Sequence, residues 1–363
     1  MRITSRKTAL SGLAVLGTSA LLLAGCAAAP TDPSDPGTDP GATDFKPCMV
    51  SDSGGFDDKS FNQLGKEGLD KASAALGVTG NAVESQAETD YPSNINGLVD
   101  DGCNIIVTVG FLLAAATDTA AQANPDVNFA IIDDSSIDLA NVKPIVFDTA
   151  QAAFLAGYAA ASYTKTGIVG TFGGIPIPPV TIFMDGFYEG VMHYNEVKGT
   201  SVQVLGWDIA KQDEGAFTGG FEANDTAKST AQNLIDQNAD VILPVGGPIF
   251  LSAGEAIRDS GKDIALIGVD ADVYVTSPDL SDLFLTSIMK GIAVGVDEVV
   301  TTAAAGNFDN SPFVGTLENG GVGIADFHDF ASKVDPGLQA ELDALKAEII
   351  SGAITLNSPS SPR

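Results

Sequence analysis

The sequence predicts an α/β protein made of two doubly wound parallel-sheet lobes joined by three crossovers. Short β-rich runs alternate with amphipathic segments of helical period, and this alternation is typical of parallel sheets covered by helices on both faces. The chain of 363 residues is long enough for two lobes, each with its own core. The predicted strands are too many for one small sheet: residues 49–52, 105–109, 129–132, 168–172, 202–205, 241–245 and 264–269.

The predicted boundary between the lobes lies near residues 145–148, because a new series of strands and helices begins at Gly167. The N-terminal lobe is expected to comprise residues 47–147 and 276–306, and the C-terminal lobe residues 148–275 and 307–363. The expected hinge crossovers are residues 145–148, 272–280 and 306–313. Such sheets bind ligands at the carboxyl ends of their strands, so two facing lobes form a cleft.

The first predicted helix begins after Ser60, which has capping-box spacing to Gln63. Its first residue, Phe61, therefore lies at the mouth of the turn that follows the first strand. Two interpretations of this side chain stay open: it faces the cleft, or it packs under the loop.

The N-terminus has the pattern of a secreted lipoprotein. Three basic residues precede an apolar run over 9–23, as in a secretory signal, and Leu23-Ala24-Gly25-Cys26 is similar to a bacterial lipobox. We expect a signal peptide over 1–25, a lipid (palmitate) on Cys26 and a Pro/Asp-rich tether over 26–46. An ordinary signal peptide or a membrane-spanning helix is the alternative, although the apolar run is short for a span. The predicted location is the extracytoplasmic face of the cell membrane, reached only through the lipid.

Charge and residue types exclude several classes of function. The formal net charge of −29 opposes binding to a phosphate backbone, so no nucleic-acid partner is expected. The chain has two histidines and no common hydrolase, zinc-protease or nucleotide-loop motif, so we expect neither an enzyme nor a cofactor. His193 and His328 are interpreted as surface or cap residues. The acid pairs Asp133/Asp134 and Asp270/Asp272 are interpreted as ligand acceptors rather than as a metal site.

Polar residues follow the predicted strands. Asp52, Asp133 and Asp270 each end a strand, Gly246-Gly247 follow another, and Lys290 is expected to open a helix. Strand ends of this kind converge on the cleft, where carboxylates accept from hydroxyl and N–H groups and Phe61 offers a flat apolar face. The pattern suits a planar heterocycle that carries a diol, and it suits a phosphate poorly.

Five motifs in order resemble the basic membrane protein family, the purine-nucleoside-receptor type of lipoprotein that serves as the substrate-binding component of ABC importers. The resemblance covers roughly residues 47–352. The motifs are Asp58-Lys59-Ser60-Phe61-Asn62 (D-x-S-F-N), Phe154-Leu155-Ala156-Gly157-Tyr158 (FLAGY), Phe172-Gly173-Gly174 to Pro178 with Gly186-Phe187, Gly268-Val269-Asp270-Ala271-Asp272 (GVDxD) and Leu285-Thr286-Ser287-Ile288-Met289-Lys290 (LTSxxK). The resemblance implies a type I periplasmic-binding-protein fold.

The resemblance also implies a ligand set. It assigns the base edge to Asp52, base stacking to Phe61 with Asn62 beside it, a second stacking ring to Phe221, and the ribose hydroxyls to Asp270 and Lys290; Asp133 and Gly247 complete the set. Alternatives stay open at three places: Asp134 for Asp133, Asp272 for Asp270, and Trp207 or Phe217 for Phe221.

Cys48 and Cys103 open the first and third strands of the N-terminal lobe. These strands are neighbours in a flavodoxin-like sheet, and an extracytoplasmic compartment permits oxidation. We therefore predict a disulfide, with two buried free thiols as the alternative.

The predicted function is that of a lipid-anchored protein that captures nucleosides, with purines expected, and delivers them to an ABC permease and its ATPase. We expect a monomer. The alternatives are a binding protein for a sugar or a modified purine, a nucleoside hydrolase, and an adhesin or antigen without a ligand.

Overall fold

The computed structural model describes residues 44–362, which form two lobes, each built on a six-stranded sheet. The strands are β1 (Pro47–Ser51), β2 (Asn81–Val83), β3 (Ile105–Val109), β4 (Asn128–Ile132), β5 (Val142–Phe147), β6 (Ile168–Gly173), β7 (Gln203–Leu205), β8 (Val241–Val245), β9 (Ala265–Asp270), β10 (Phe284–Lys290), β11 (Phe313–Gly315) and β12 (Val322–Ile324). The α-helices are α1 (Phe61–Leu76), α2 (Tyr91–Asp100), α3 (Ala114–Ala123), α4 (Ala150–Tyr163), α5 (Pro178–Lys198), α6 (Asp225–Asp236), α7 (Ile249–Ser260), α8 (Val273–Thr276), α9 (Ile292–Ala304) and α10 (Leu338–Ile350).

The two sheets have equivalent strand orders. The first has the order β11-β5-β4-β3-β1-β2 with all neighbours parallel, and the second has the order β12-β10-β9-β8-β6-β7. In the second sheet only β12 is antiparallel to its neighbour. The central strands are buried on both faces, which explains why they are continuous apolar runs in the sequence. The predicted fold class is confirmed.

Strand order reverses at β1 in the first sheet and at β6 in the second. The crevice outside the carboxyl end of such a strand is where open α/β sheets bind ligands. Because the two lobes repeat the same order, β3 corresponds to β8 and β4 to β9. These matched strand ends supply the cavity described below.

The chain passes between the sheets three times: from β5 to α4, from β10 to α9, and from β11 to β12. The crossovers are hydrogen-bonded to one another, since Asp148 N–H donates to Gly315 O at 2.8 Å and Gly291 N–H to Gly321 O at 2.7 Å. The three connections therefore lie side by side between the lobes.

The lobe boundaries differ from those expected after residue 275. Strand β10 pairs in the second sheet, although we assigned residues 276–306 to the N-terminal lobe, and β11 pairs in the first sheet, although we assigned 307–363 to the C-terminal lobe. The polar residues Thr286 and Ser287 concealed β10 in the sequence. Both are satisfied inside the sheet: Thr286 Oγ1 donates to Ala325 O at 2.7 Å, and Ser287 Oγ accepts from Val273 N–H at 3.0 Å.

Cys48 and Cys103 are joined in a disulfide, with Cα atoms 6.0 Å apart. The bond ties the start of β1 to the residue two positions before β3, and these strands are neighbours in the sheet. It lies at the end of the strands opposite to the cavity.

Residues 44–362 include no helix with the length and apolar character needed to cross a bilayer. The predicted signal peptide and Cys26 fall outside the described residues, and so does the predicted tether apart from residues 44–46.

Candidate functional site

One cavity lies between the lobes at the carboxyl ends of the strands. The eight residues of the predicted ligand set all line it, four from each lobe: Asp52, Phe61, Asn62 and Asp133 from the N-terminal lobe, and Phe221, Gly247, Asp270 and Lys290 from the C-terminal lobe. They come from segments spread between positions 52 and 290, so the fold is what brings them together.

The turn between β1 and α1 is organised by Asp58, which the predicted set omitted. Its buried carboxylate accepts from the backbone N–H groups of Ser60 at 3.0 Å, Asn62 at 2.9 Å and Gln63 at 3.1 Å. Asp58 therefore caps α1, and the expected capping box at Ser60 is wrong, because the Ser60 side chain makes no cap hydrogen bond. The sequence signal that could have indicated this role is the position of Asp58 as the first residue of the D-x-S-F-N motif.

Asn62 is oriented by two carboxylates. Its Nδ2 donates to Asp52 Oδ1 at 2.7 Å and to Asp58 Oδ2 at 3.2 Å. Its Oδ1 is buried and has no hydrogen-bond partner within the described residues. Burial is the main cause that raises the pKa of Asp52 to about 6, while the Gly54 N–H and Asn62 act against it. This end of the cavity therefore presents acceptors to a ligand.

Asp133 and Asp270 occupy matched positions at the ends of β4 and β9. Both have φ of 66°, in the left-handed region that aspartate tolerates better than most residues. Such backbone costs about 1–3 kcal/mol and concentrates at functional sites. Oδ1 of Asp270 is buried and has no hydrogen-bond partner in the described part of the chain. Burial, partly opposed by Lys290, raises the pKa of Asp270 to about 6.

Lys290 is the last residue of β10 and not, as expected, the start of a helix. Its Nζ lies 2.7 Å from Asp133 Oδ2 in the opposite lobe and 3.6 Å from Asp270 Oδ1. The Nζ is also 5.3 Å from the centre of the Phe61 ring. Burial lowers the pKa of this ammonium, but the two carboxylates outweigh that effect and hold it above its usual value. Lys290 is thus a cation whose charge is already paired.

Two of the aromatic rings that line the cavity, one from each lobe, pack over glycines at matched strand ends. Gly110 and Gly246, the residues after β3 and β8, have φ of 117° and 134°. A Cβ on Gly110 would lie 3.5 Å from the Phe61 ring, and one on Gly246 would lie 2.5 Å from the Phe221 ring. Each ring therefore packs over bare backbone at a matched strand end. The two rings are suitably placed to contact a flat apolar ligand.

The alternative residues lie outside this cavity. The indole N–H of Trp207 donates to Asp185 at 2.9 Å, and the Phe217 ring packs edge-on against the indole at 6.0 Å. Asp134 accepts from Ser136, and Asp272 is hydrogen-bonded to His328 at 2.8 Å. These contacts give each alternative side chain a partner outside the cavity; the other carboxylate oxygen of Asp272, Oδ1, is buried without a hydrogen-bond partner among the described residues.

The other cavity-lining residues include Phe183 and Phe111, which our sequence prediction did not identify. Phe183 lies on α5, shortly after the Gly-Gly and Ile-Pro stretch of the third motif. Its side chain is 2% exposed, and nothing in its sequence spacing distinguishes it from an ordinary core residue. Its place on the cavity wall follows from the packing of α5 against the sheet.

A family model described as the PnrA-like substrate-binding protein of ABC transporters, Bmp, matches residues 45–358. The chain belongs to this family. Proteins of this PnrA-like family are substrate-binding components rather than enzymes, and those of ABC importers work on the extracytoplasmic side of the membrane. The resemblance seen in the five motifs is confirmed.

Two relatives of this PnrA-like protein span nearly the same length. A CD4+ T-cell-stimulating antigen from Listeria innocua is 31% identical over 366 residues, covering 96% of this chain and 98% of the relative. The ABC transporter nucleoside-binding protein BmpA from Lactococcus lactis is 29% identical and covers 87% and 90%. Among solved structures, an ABC transporter solute-binding protein from Aeropyrum pernix K1 superposes with a TM-score of 0.76 at 25% identity, covering 87% of this chain and 94% of that chain.

Proposed function

We propose that this protein binds nucleosides, purine nucleosides foremost, in the cavity between its lobes and delivers them to an ABC importer. The observation that carries the proposal is that two buried acceptors without a hydrogen-bond donor among the described residues, Asn62 Oδ1 and Asp270 Oδ1, lie in a cavity lined by the rings of Phe61 and Phe221. A buried acceptor without a donor is costly unless a ligand supplies one. A nucleoside supplies N–H groups on a flat base and hydroxyl groups on its ribose.

The proposed roles follow the position of each group. Asp52 and Asn62 receive the edge of the base, and Phe61 and Phe221 contact its faces. Asp270 accepts from the ribose hydroxyls and Lys290 donates to them. Asp133 acts through Lys290, whose ammonium it pairs at 2.7 Å. The name of the Lactococcus lactis relative, a nucleoside-binding protein, supports the same class of ligand.

The charges of the cavity favour an uncharged nucleoside over its 5′-phosphate. Asp52, Asp58, Asp133 and Asp270 all line the cavity, with Lys290 as the single cation among the lining residues. One ammonium that is already paired cannot offset these carboxylates and a dianionic phosphate in a partly desolvated site. We therefore expect the site to reject nucleoside 5′-phosphates.

The proposed cellular setting is the extracytoplasmic face of the cell membrane. We infer a monomer with a lipid on Cys26, held away from the bilayer by the acidic, proline-rich segment that follows, and working with the permease and ATPase subunits of the importer. A Cys26→Ala variant is expected to leave the membrane fraction and to lose incorporation of labelled palmitate. Retention of both would contradict the lipid anchor.

Calorimetry on protein lacking residues 1–26 tests the ligand class. Purine and pyrimidine nucleosides, their free bases and their 5′-phosphates are titrated in parallel. Binding of a nucleoside, with much weaker binding of its 5′-phosphate, is expected. Absence of binding to every nucleoside would refute the proposal, and equal affinity for nucleotide and nucleoside would refute the electrostatic argument.

A further inference from the structure

The N-terminal end of α1 contacts the opposite lobe through Ser60. This side chain is fully buried, and its Oγ lies 2.9 Å from the carbonyl oxygen of Val269 and 3.2 Å from Asp270 Oδ2. Ser60 belongs to the N-terminal lobe, whereas Val269 and Asp270 end β9 in the C-terminal lobe. The single hydroxyl proton is therefore shared between two acceptors across the interface between the lobes.

The two acceptors belong to a strained turn. Asp270 has φ of 66°, and the N–H of Ala271 donates back to the Val269 carbonyl at 2.8 Å. That carbonyl is the same atom that accepts from Ser60. Because Ser60 contacts Oδ2 of Asp270, Oδ1 is left on the cavity wall without a hydrogen-bond donor among the described residues, 3.6 Å from Lys290 Nζ. Ser60, which donates to this turn, therefore lies in the opposite lobe.

A second hydrogen bond lies next to the first. Thr276 Oγ1, at the end of α8 in the C-terminal lobe, donates to the carbonyl oxygen of Lys59 at 2.7 Å. Lys59 has φ of 61°, so it is also in the left-handed region. We call these two links between the lobes, Ser60 to Val269 and Asp270, and Thr276 to Lys59, the latch.

We propose that Ser60 is a positioning residue that orients Asp270 for ligand only when the lobes are together, and thereby couples ligand release to lobe separation. The proposal rests on the proposed function for its ligand. The latch contacts exist only while the lobes touch, so they stabilise the closed arrangement and are lost when it opens. Removing one of them speeds ligand release more than it slows ligand capture, because affinity differences between close variants lie mostly in the dissociation rate.

The helix offers a matched control for Ser60. Ser73 lies within α1, which begins one residue after Ser60; it is also buried, and it donates to Leu69 O at 2.7 Å, with no hydrogen bond to the other lobe among the described residues. Ser60→Ala and Ser73→Ala thus each remove one buried serine hydroxyl, the first just before α1 and the second within it. Ser60→Thr keeps the hydroxyl and serves as the rescue, and Thr276→Val removes the second link while leaving α1 unchanged.

The experiment measures dissociation of radiolabelled adenosine and guanosine from the detergent-solubilised full chain. We expect Ser60→Ala to raise the dissociation rate about 3- to 10-fold, as for the loss of one hydrogen bond. Ser73→Ala and Ser60→Thr are expected to stay within about twofold of wild type on the same scale. Equal dissociation rates in Ser60→Ala and Ser73→Ala would overturn the proposal.

A second measurement separates this inference from the proposed function. Hydrogen exchange on the unliganded chain reports opening of residues 58–64 and 266–277 without any nucleoside. Ser60→Ala and Thr276→Val are expected to speed exchange in both segments relative to Ser73→Ala. If wild type binds no nucleoside, the proposed function fails and exchange alone decides the latch; unchanged exchange in both variants would then overturn it.

Discussion

Asp270 joins three properties that rarely occur together: a left-handed backbone, near-complete burial, and a carboxylate oxygen without a hydrogen-bond partner in the described structure. Each is unfavourable on its own. A group that donates into the cavity would satisfy the free oxygen and stabilise the ionised side chain. The strain and burial at Asp270 therefore fit a position selected for binding.

The first prediction concerns Asp270 itself. Asp270→Ala should abolish nucleoside binding, because the ribose hydroxyls lose their acceptor in a desolvated site. Phe61→Ala should weaken binding by about 1–3 kcal/mol, as for other contacts between a base and an aromatic ring. Asp272→Ala is the matched control, since Asp272 lies in the same motif and bonds to His328 outside the cavity. Calorimetry that gave wild-type affinity for Asp270→Ala would contradict the site assignment.

The second prediction concerns pH. The pKa of Asp52 and that of Asp270 are each raised, mainly by burial, from 3.8 to about 6. Between about pH 4 and pH 6 the folded state therefore binds more protons than the unfolded chain, so these two groups make the unliganded protein more stable as the pH falls through 6. Ligand donors need the ionised carboxylates, so nucleoside affinity should fall over the same range.

Calorimetry and thermal unfolding at pH 7.5 and pH 5 measure the expected fall in nucleoside affinity and the expected rise in the stability of the unliganded protein at the lower pH. Asp52→Asn is the comparison variant, because it removes one of the two titrating groups and should reduce the pH dependence of stability. An affinity that stayed constant from pH 7.5 to pH 5 would show that neither carboxylate takes up a proton in competition with ligand.

At the scale of elements, glycines next to the strand ends leave room for the aromatic rings of the cavity, and Gly174 is one of them. A Cβ on Gly174, which follows β6, would collide with the ring of Phe221. Gly174 has no positive φ, so its backbone conformation accepts alanine, and the added Cβ would meet the Phe221 ring and, at 2.9 Å, the Gly220 carbonyl oxygen.

The third prediction is that Gly174→Ala displaces Phe221 and lowers nucleoside affinity by about tenfold or more, since stacking on one ring contributes about 1–3 kcal/mol. Gly97→Ala is the control: Gly97 lies inside α2 with open space around its Cα, so alanine should add about 0.5–1 kcal/mol of stability and leave affinity unchanged. Equal affinities for the two variants, measured by calorimetry, would contradict the ring contact.

The fourth prediction concerns the disulfide between β1 and the approach to β3. Cys48 and Cys103 are 55 residues apart in sequence, so the bond closes a long loop in the unfolded chain. Replacing both with serine should lower the free energy of unfolding by about 2–4 kcal/mol. Affinity at 25 °C should not change, because the site lies at the other end of the strands. Urea unfolding and calorimetry on the same variant measure the two effects; a loss of affinity without a loss of stability would contradict this separation.

At the scale of the whole molecule, the two lobes touch through the latch and through the ion pair between Lys290 and Asp133. The crossovers that connect them are short and hydrogen-bonded to each other. Such an arrangement allows rotation of one lobe against the other about a common hinge.

The fifth prediction is that nucleoside binding closes the lobes. Small-angle scattering of protein lacking residues 1–26 should give a smaller radius of gyration at saturating nucleoside than without it. The hinge should act at residues 147–150, 290–292 and 315–322, where the chain passes between the sheets. Superimposable scattering curves would count against closure.

Most of the buried strands could be predicted from the sequence. The seven predicted strands correspond to β1, β3, β4, β6, β7, β8 and β9, because buried parallel strands are apolar runs. The strands that were missed are three residues long or, like β5 and β10, carry Lys, Pro, Thr or Ser inside the sheet. Those polar groups have partners that only the folded chain supplies, as Lys143 does with Asp309 at 2.9 Å.

The sequence by itself determined the α/β class, the family and the residue types at the strand ends, because these depend on local periodicity and on short motifs. Tertiary structure decided which sheet receives β10 and β11, that Asp58 rather than Ser60 caps α1, and that Ser60 contacts the opposite lobe. It also decided that Phe221, and not Trp207 or Phe217, reaches the cavity. These outcomes depend on contacts between residues far apart in the chain, whose free energies have no counterpart in local sequence.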